Sequence, residues 1–214
     1  MNKKELFETL RYEFEKIVNN SQLDTDNIKI NAKGLTAYEA IGDTDRKDYP
    51  ILTGKEVMLQ AEYKGCFGQA FTSAPADFTG KLSDIINGSI VDNEYERALF
   101  IASLNAVMKY LGKTYGTIHC KNEGPEVCAT EFINYLKCKY DNPKILQVGY
   151  QPALFAKLAQ NFKMRIVDLN PENIDKEEHG IRVEDGTRFE EAANWADLIL
   201  CTGSTICNGS IVDY

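Results

Sequence analysis

The segment Lys144–Asn170, KILQVGYQPALFAKLAQNFKMRIVDLN, decides the fold class. It opens with a short apolar strand, KILQVGY, continues in a helix started by Pro152, PALFAKLAQNF, and closes with a second strand, KMRIVDL. Proline suits the first helical turn, because the N–H it lacks would have no intrahelical partner there. Short apolar strands separated by a helix belong side by side in a parallel sheet with a right-handed crossover. Downstream the same grammar returns: RFEEAANWA reads as a helix and DLILCTG as a third strand. Ligands of such sheets bind outside the carboxyl ends of the strands. Three strand ends here carry polar or glycine-bearing turns: Gly149-Tyr150-Gln151-Pro152, Asp168-Leu169-Asn170-Pro171 and Thr202-Gly203-Ser204-Thr205.

Upstream of this segment the pattern differs. Leu6, Phe7, Leu10, Phe14, Ile17 and Val18 recur at three- and four-residue steps and predict an amphipathic helix. Ile28 and Ile30 alternate with polar neighbours, and Gly34 marks a turn toward a second strand. EVMLQAEY and CFGQAFT read as further strands, and FTGKLSDIING as a short helix closed by Asn87 and Gly88. Asp92 is placed to cap the helix NEYERALFIASLNAVMKYLG, which is apolar on most sides and therefore expected to be buried. Asn105 lies inside that run and needs a hydrogen-bond partner, from neighbouring backbone or from a cleft. KTYGTIHCKNEGP then leads into a helix with Pro125 in its first turn. The chain thus divides into an α+β domain over 1–115, a linking segment and helix over 116–140, and a parallel α/β domain over 141–214.

Composition narrows the function classes. A formal net charge of −8 argues against a nucleic-acid binder, which would normally show a basic face. No run approaches the ~20 apolar residues of a membrane span, and the charged N-terminus has no apolar core of a secretory signal. A cytoplasmic location is expected, with Cys66, Cys120, Cys128, Cys138, Cys201 and Cys207 as reduced thiols. No C-x-x-C pair occurs, which removes the strongest sign of a zinc ribbon or a thioredoxin-like site.

Gly149 and Asp168 have the spacing of the first glycine and the ribose-binding acid of a dinucleotide fingerprint. Gln151 and Leu154, however, stand where the second and third glycines would be. His119, Cys120, Cys128 and Cys207 are the candidate metal ligands, since imidazole and thiolate suit transition metals. The plainer readings are a polar connection for the first three and a polar loop for Cys207. Cys201 reads as a buried strand residue, and PENIDKEEHG, with His179, as a solvated acidic loop.

Taken together, ILQVGYQPALFAKLAQNFKMRIVDLNPENI and DLILCTGSTICNGSIVDY resemble the DUF364 family, the heavy-metal chelation domain. GKLSDIING with ERALFIASLNAV resembles the DUF4213 domain that precedes it. The resemblance implies an N-terminal domain similar to the enolase N-terminal fold, a Rossmann-like C-terminal domain, and a site in the cleft between them. It implies Asn105, Gly149, Pro152, Asp168, Asn170, Thr202, Gly203, Thr205, Asn208 and Gly209 as site-edge residues, and the strand-end turns add Gln151 and Ser204. It also implies a helix and strand after the Asn-Gly-Ser loop, so with the sequence ending at Tyr214 either the domain is shortened or its sheet loses an edge. Three functions stay open. The first is a protein binding a metal ion or a small metal-bearing or anionic metabolite, with a transition metal as the candidate cofactor. The second is an enzyme using a nucleotide or S-adenosylmethionine, and the third a regulatory or assembly module forming a homo-oligomer.

Overall fold

The computed structural model describes residues 1–54 and 56–214. It is a mixed α/β protein with two sheets, and the chain divides into two compact units. The first comprises residues 1–43, 50–119 and 206–213; the second comprises 44–49, 120–205 and 214. Among the described residues, no helix is long and apolar enough to cross a membrane.

The first unit holds helix α1 (Lys3–Asn20), strand β1 (Lys29–Leu35), helix α2 (Ala37–Ile41), strands β2 (Val57–Tyr63), β3 (Cys66–Thr72) and β4 (Phe78–Lys81), and helices α3 (Leu82–Ile86) and α4 (Glu94–Tyr110). Its sheet is antiparallel in the order β3-β2-β1-β4. β2 and β3 form a hairpin whose two turn residues, Lys64 and Gly65, both have positive φ, the geometry that matches the twist of a tight hairpin. The core joins Phe7, Phe14 and Val18 of α1 to Ile30, Leu59 and Ala61 of the sheet and to Phe100 and Ala106 of α4. Fully burying such side chains contributes about 1.5–3 kcal/mol each. As expected, α4 is the buried spine. It lies so close to β3 that a β-carbon on Gly68 would stand 2.2 Å from the Ala102 carbonyl oxygen.

Four local expectations shift. The strand β1 runs through Gly34, which pairs with Leu59, and the turn follows it at Thr36, the N-cap of α2. Phe78–Lys81, read as helical, pairs with β1 as a strand instead. The cap of α4 is Asn93, whose side chain accepts from the Glu96 N–H, one residue beyond Asp92. Asn87, expected in the left-handed conformation, ends α3 in right-handed geometry.

The second unit holds α5 (Gly124–Lys139), β5 (Ile145–Val148), α6 (Pro152–Asn161), β6 (Met164–Asp168), β7 (Glu177–Glu178), β8 (Ile181–Asp185), α7 (Glu190–Trp195) and β9 (Leu198–Cys201). Helix α8 (Ser204–Asn208) follows β9 and carries the chain from the second unit to the first. The sheet order is β7-β8-β6-β5-β9, with β8, β6, β5 and β9 parallel and β7 antiparallel at the edge. Alternate residues serve the two faces. Ile145, Met164, Ile166 and Val183 pack with Phe155 and Leu158 of α6 and Ile133 and Leu136 of α5. Leu146, Val148 and Val167 pack with Ala192 of α7. Coverage on both faces explains why β5 is buried at every position.

The fourth parallel strand, β8, went unread because Ile181 and Val183 alternate with charged residues beside an acidic stretch. That stretch is also more ordered than a solvated loop. Glu177–Glu178 forms β7, Glu178 accepts from the Tyr150 hydroxyl at 2.8 Å, and the His179 ring meets Phe155 edge-on.

Candidate functional site

In the second unit, strands are added on one side of β5 as β6 and then β8, and on the other side as β9. The order therefore reverses between β5 and β9, the place where open parallel sheets leave a crevice at their carboxyl ends. Gly149 and Thr202 extend the two ladders there: the Gly149 N–H donates to Val167 O and the Thr202 N–H to Val148 O. The two turns touch. Gly149 has a φ of 92°, and a β-carbon on it would lie 2.4 Å from Thr202 Cγ2. Glycine is thus required at 149 by the backbone and by Thr202.

Beside this contact is a neutral polar cluster. Gln151 is the N-cap residue of α6, yet its side chain makes no capping bond; its Nε2 donates to Thr202 Oγ1 at 3.1 Å. The Ser204 hydroxyl donates to the same oxygen at 3.5 Å. Having accepted twice, the Thr202 hydroxyl keeps its own proton to donate elsewhere. Thr205 is buried and closes the turn, its hydroxyl donating to Thr202 O at 2.6 Å. Gly203 is exposed, and nothing lies within 4 Å of where its β-carbon would be. The first turn of α6 begins with Pro152 and has no side-chain cap, so its N–H groups keep the partial positive character of a helix start.

Asp168 is engaged. Its Oδ2 accepts from Tyr150 N at 2.7 Å, and its Oδ1 from Asn170 N at 2.8 Å and Asn173 Nδ2 at 3.2 Å. It ties the turn after β5 to the turn after β6. Asn170 accepts from Glu172 N at 3.0 Å and shapes the same turn. Tyr150 extends this brace: its hydroxyl bonds Glu178, Lys176 sits over its ring, and burial followed by the Glu178 bond raises its pKa.

Gln147 is a residue the strand-end reading missed. It is fully buried in β5, and its Nε2 donates to Gly149 O at 3.0 Å and Gln151 O at 3.4 Å. Its Oε1 is buried without a hydrogen-bond partner among the described residues. The signal was present as one amide inside the otherwise apolar ILQV.

The remaining candidates lie in the first unit, except Cys120 and Cys128, which belong to the second. Asn105 Nδ2 donates to Gln69 O at 3.1 Å, joining α4 to β3. Asn208 accepts from Ser210 N at 2.8 Å, and the space above Gly209 is filled by Lys3, whose Cε would stand 2.6 Å from a β-carbon there. Cys207 is in the hydrophobic core, where burial pushes its thiol up to about 12. The buried Arg97 guanidinium donates to Cys207 O at 2.6 Å, and also to Ile90 O and Val91 O. The His119 N–H donates to Gln69 Oε1 at 2.6 Å and its ring meets Phe71 edge-on. Cys120 is half-buried and Cys128 exposed, at the start of α5. Among the described residues, no group of three or more His, Cys, Asp or Glu side chains is arranged to hold a metal ion.

Residues 136–214 match the model of DUF364, described as "Putative heavy-metal chelation". A solved protein of unknown function from the DUF364 family of Pyrococcus horikoshii superposes with a TM-score of 0.58 at 14% identity, covering 97% of this chain and 72% of that one. A second DUF364 protein of unknown function, from Desulfitobacterium hafniense DCB-2, gives 0.48 at 13% identity over 72% of this chain and 59% of that one. The family match is confined to residues 136–214, and at 14% identity the Pyrococcus structure speaks for the fold alone. No curated protein matches the chain.

Proposed function

We propose that this protein binds a small anionic or metal-bearing metabolite at the carboxyl ends of β5 and β9, and works in the cytoplasm. In this reading the second unit is a DUF364 domain of Rossmann-like type. The first, with its antiparallel sheet backed by helices, is a DUF4213 domain similar to the enolase N-terminal fold. The observation that carries the proposal is the polar cluster beside Gly203. Thr202, Gln151 and Ser204 converge on one oxygen, an uncapped helix start adjoins them, and the adjacent glycine stands in open space. Hydroxyl and amide donors at a strand-order reversal suit the oxygens of an anion, and the family description adds the metal-bearing option.

The nucleotide or S-adenosylmethionine reading uses the same edge but asks more of Asp168. A ribose would have to share a carboxylate that already accepts three hydrogen bonds. Thermal unfolding with phosphate, citrate, metal citrates, ATP and S-adenosylmethionine separates the readings. A bound anion at a hundred times its dissociation constant stabilises the fold by about 2.7 kcal/mol. Gly203→Leu should abolish that shift while leaving the ligand-free midpoint in place. Silence across the panel, or an undiminished shift in the variant, would sink the proposal.

A further inference from the structure

Outside the strand-end cluster, two thiols meet at the start of α5. Cys120 precedes that helix, and its side chain lies on the bare first residue: a β-carbon on Gly124 would stand 2.8 Å from Cys120 Cβ and 3.9 Å from its Sγ. Cys128 is four residues beyond Gly124, on the same face and one turn on. Helical side chains lean back toward the N-terminus, which aims Cys128 at Cys120. The two thiols share a hydrogen bond, and burial together with the neighbouring sulfur raises the Cys120 pKa. Cys128 is exposed and leaves the pair open to solvent. A third cysteine of the same helix, Cys138, is also exposed but stands ten residues further along.

We propose that Cys120 and Cys128 form a two-thiolate site for a thiophilic monovalent cation of the copper(I) class. Thiolates select soft ions. Structural zinc takes four ligands, and no third carboxylate, imidazole or thiol among the described residues joins the pair in a metal-holding group. Copper(I) is satisfied by two sulfurs in line. Two metal–sulfur bonds of about 2.3 Å each span a separation that hydrogen-bonded thiols reach by small rotamer changes. On binding, two S–H bonds break and two S–Cu bonds form. Two protons leave to solvent and the complex carries one net negative charge. No electron moves, so the ion must arrive as copper(I). Gly124 keeps the first sulfur down on the helix. This site shares no residue with the strand-end cluster and does not depend on it.

The test is anaerobic titration of the reduced full chain with copper(I) against a chromophoric bicinchoninate competitor. One ion per chain and two protons released are expected. Cys120→Ser and Cys128→Ser should each lose the competitor-resistant ion, whereas Cys138→Ser keeps it. Because Cys128 is exposed, its serine variant should melt with the wild type, separating ligand loss from unfolding. Retention of the ion by Cys128→Ser, loss of it by Cys138→Ser, or a stoichiometry that tracks all exposed thiols would each overturn the site.

Discussion

The ten residues Cys201–Ser210 have one composition and two fates. Through Thr205 they belong to the second unit, and from Ile206 to the first. In the first half, Thr202 and Ser204 sit in an open polar cluster and Gly203 faces empty space. In the second half, Cys207 enters a hydrophobic core, its carbonyl is taken by Arg97, and the space above Gly209 is occupied by Lys3. Glycine, serine, threonine and cysteine alone thus do not separate a binding loop from a packing segment. What separates them is which neighbours the rest of the chain brings.

The largest expected effect is on Cys207. Its folded pKa, pushed to about 12, lies above the ordinary thiol value near 9, so the unfolded chain ionises first as pH rises. The stabilising difference is intact below pH 9 and is lost as pH climbs toward 12, by about 4 kcal/mol in all. Urea midpoints from pH 8 to 11 should fall less steeply in Cys207→Ala than in wild type. Equal slopes would mean that this half of the segment is not core.

Gly149→Ala should cost about 3 kcal/mol, combining a positive φ with a clash against Thr202. Adding Thr202→Ser removes the methyl that clashes and should recover part of the loss, leaving the backbone share. Full additivity in that double-mutant cycle would deny the contact. Gly209→Ala meets only the end of a flexible lysine, so its cost should be about 1 kcal/mol, mostly from φ. Gly203→Leu closes the series with no measurable change in urea midpoint. The order 149, 209, 203 is the sharp outcome, and any other order would show that the glycines are held differently from the geometry described.

Much of this architecture was legible. KILQVGY, KMRIVDL and DLILC became β5, β6 and β9 because their apolar runs need cover on both faces. The α4 spine was legible for the same reason. β8 was not, since an edgeward strand tolerates Arg182 and Glu184 between its apolar residues. β4 was missed because Phe78–Lys81 has no strand pattern of its own and gains its hydrogen bonds from β1. At the strand ends, sequence placed Thr202, Gln151 and Ser204 on one edge of the sheet. It could not show that Asp168 is spent on Tyr150, Asn170 and Asn173.

By itself, then, the sequence determined the parallel sheet, the buried helix and the polar character of the strand ends, because hydrophobic periodicity and turn chemistry act over a few residues. Tertiary structure alone decided which polar groups are already satisfied, which glycine is crowded, and that Cys207 is core while Cys120 meets Cys128. Those outcomes depend on pairings between distant segments or across a helix turn, and on the water each pairing excludes. No short window of residues encodes them.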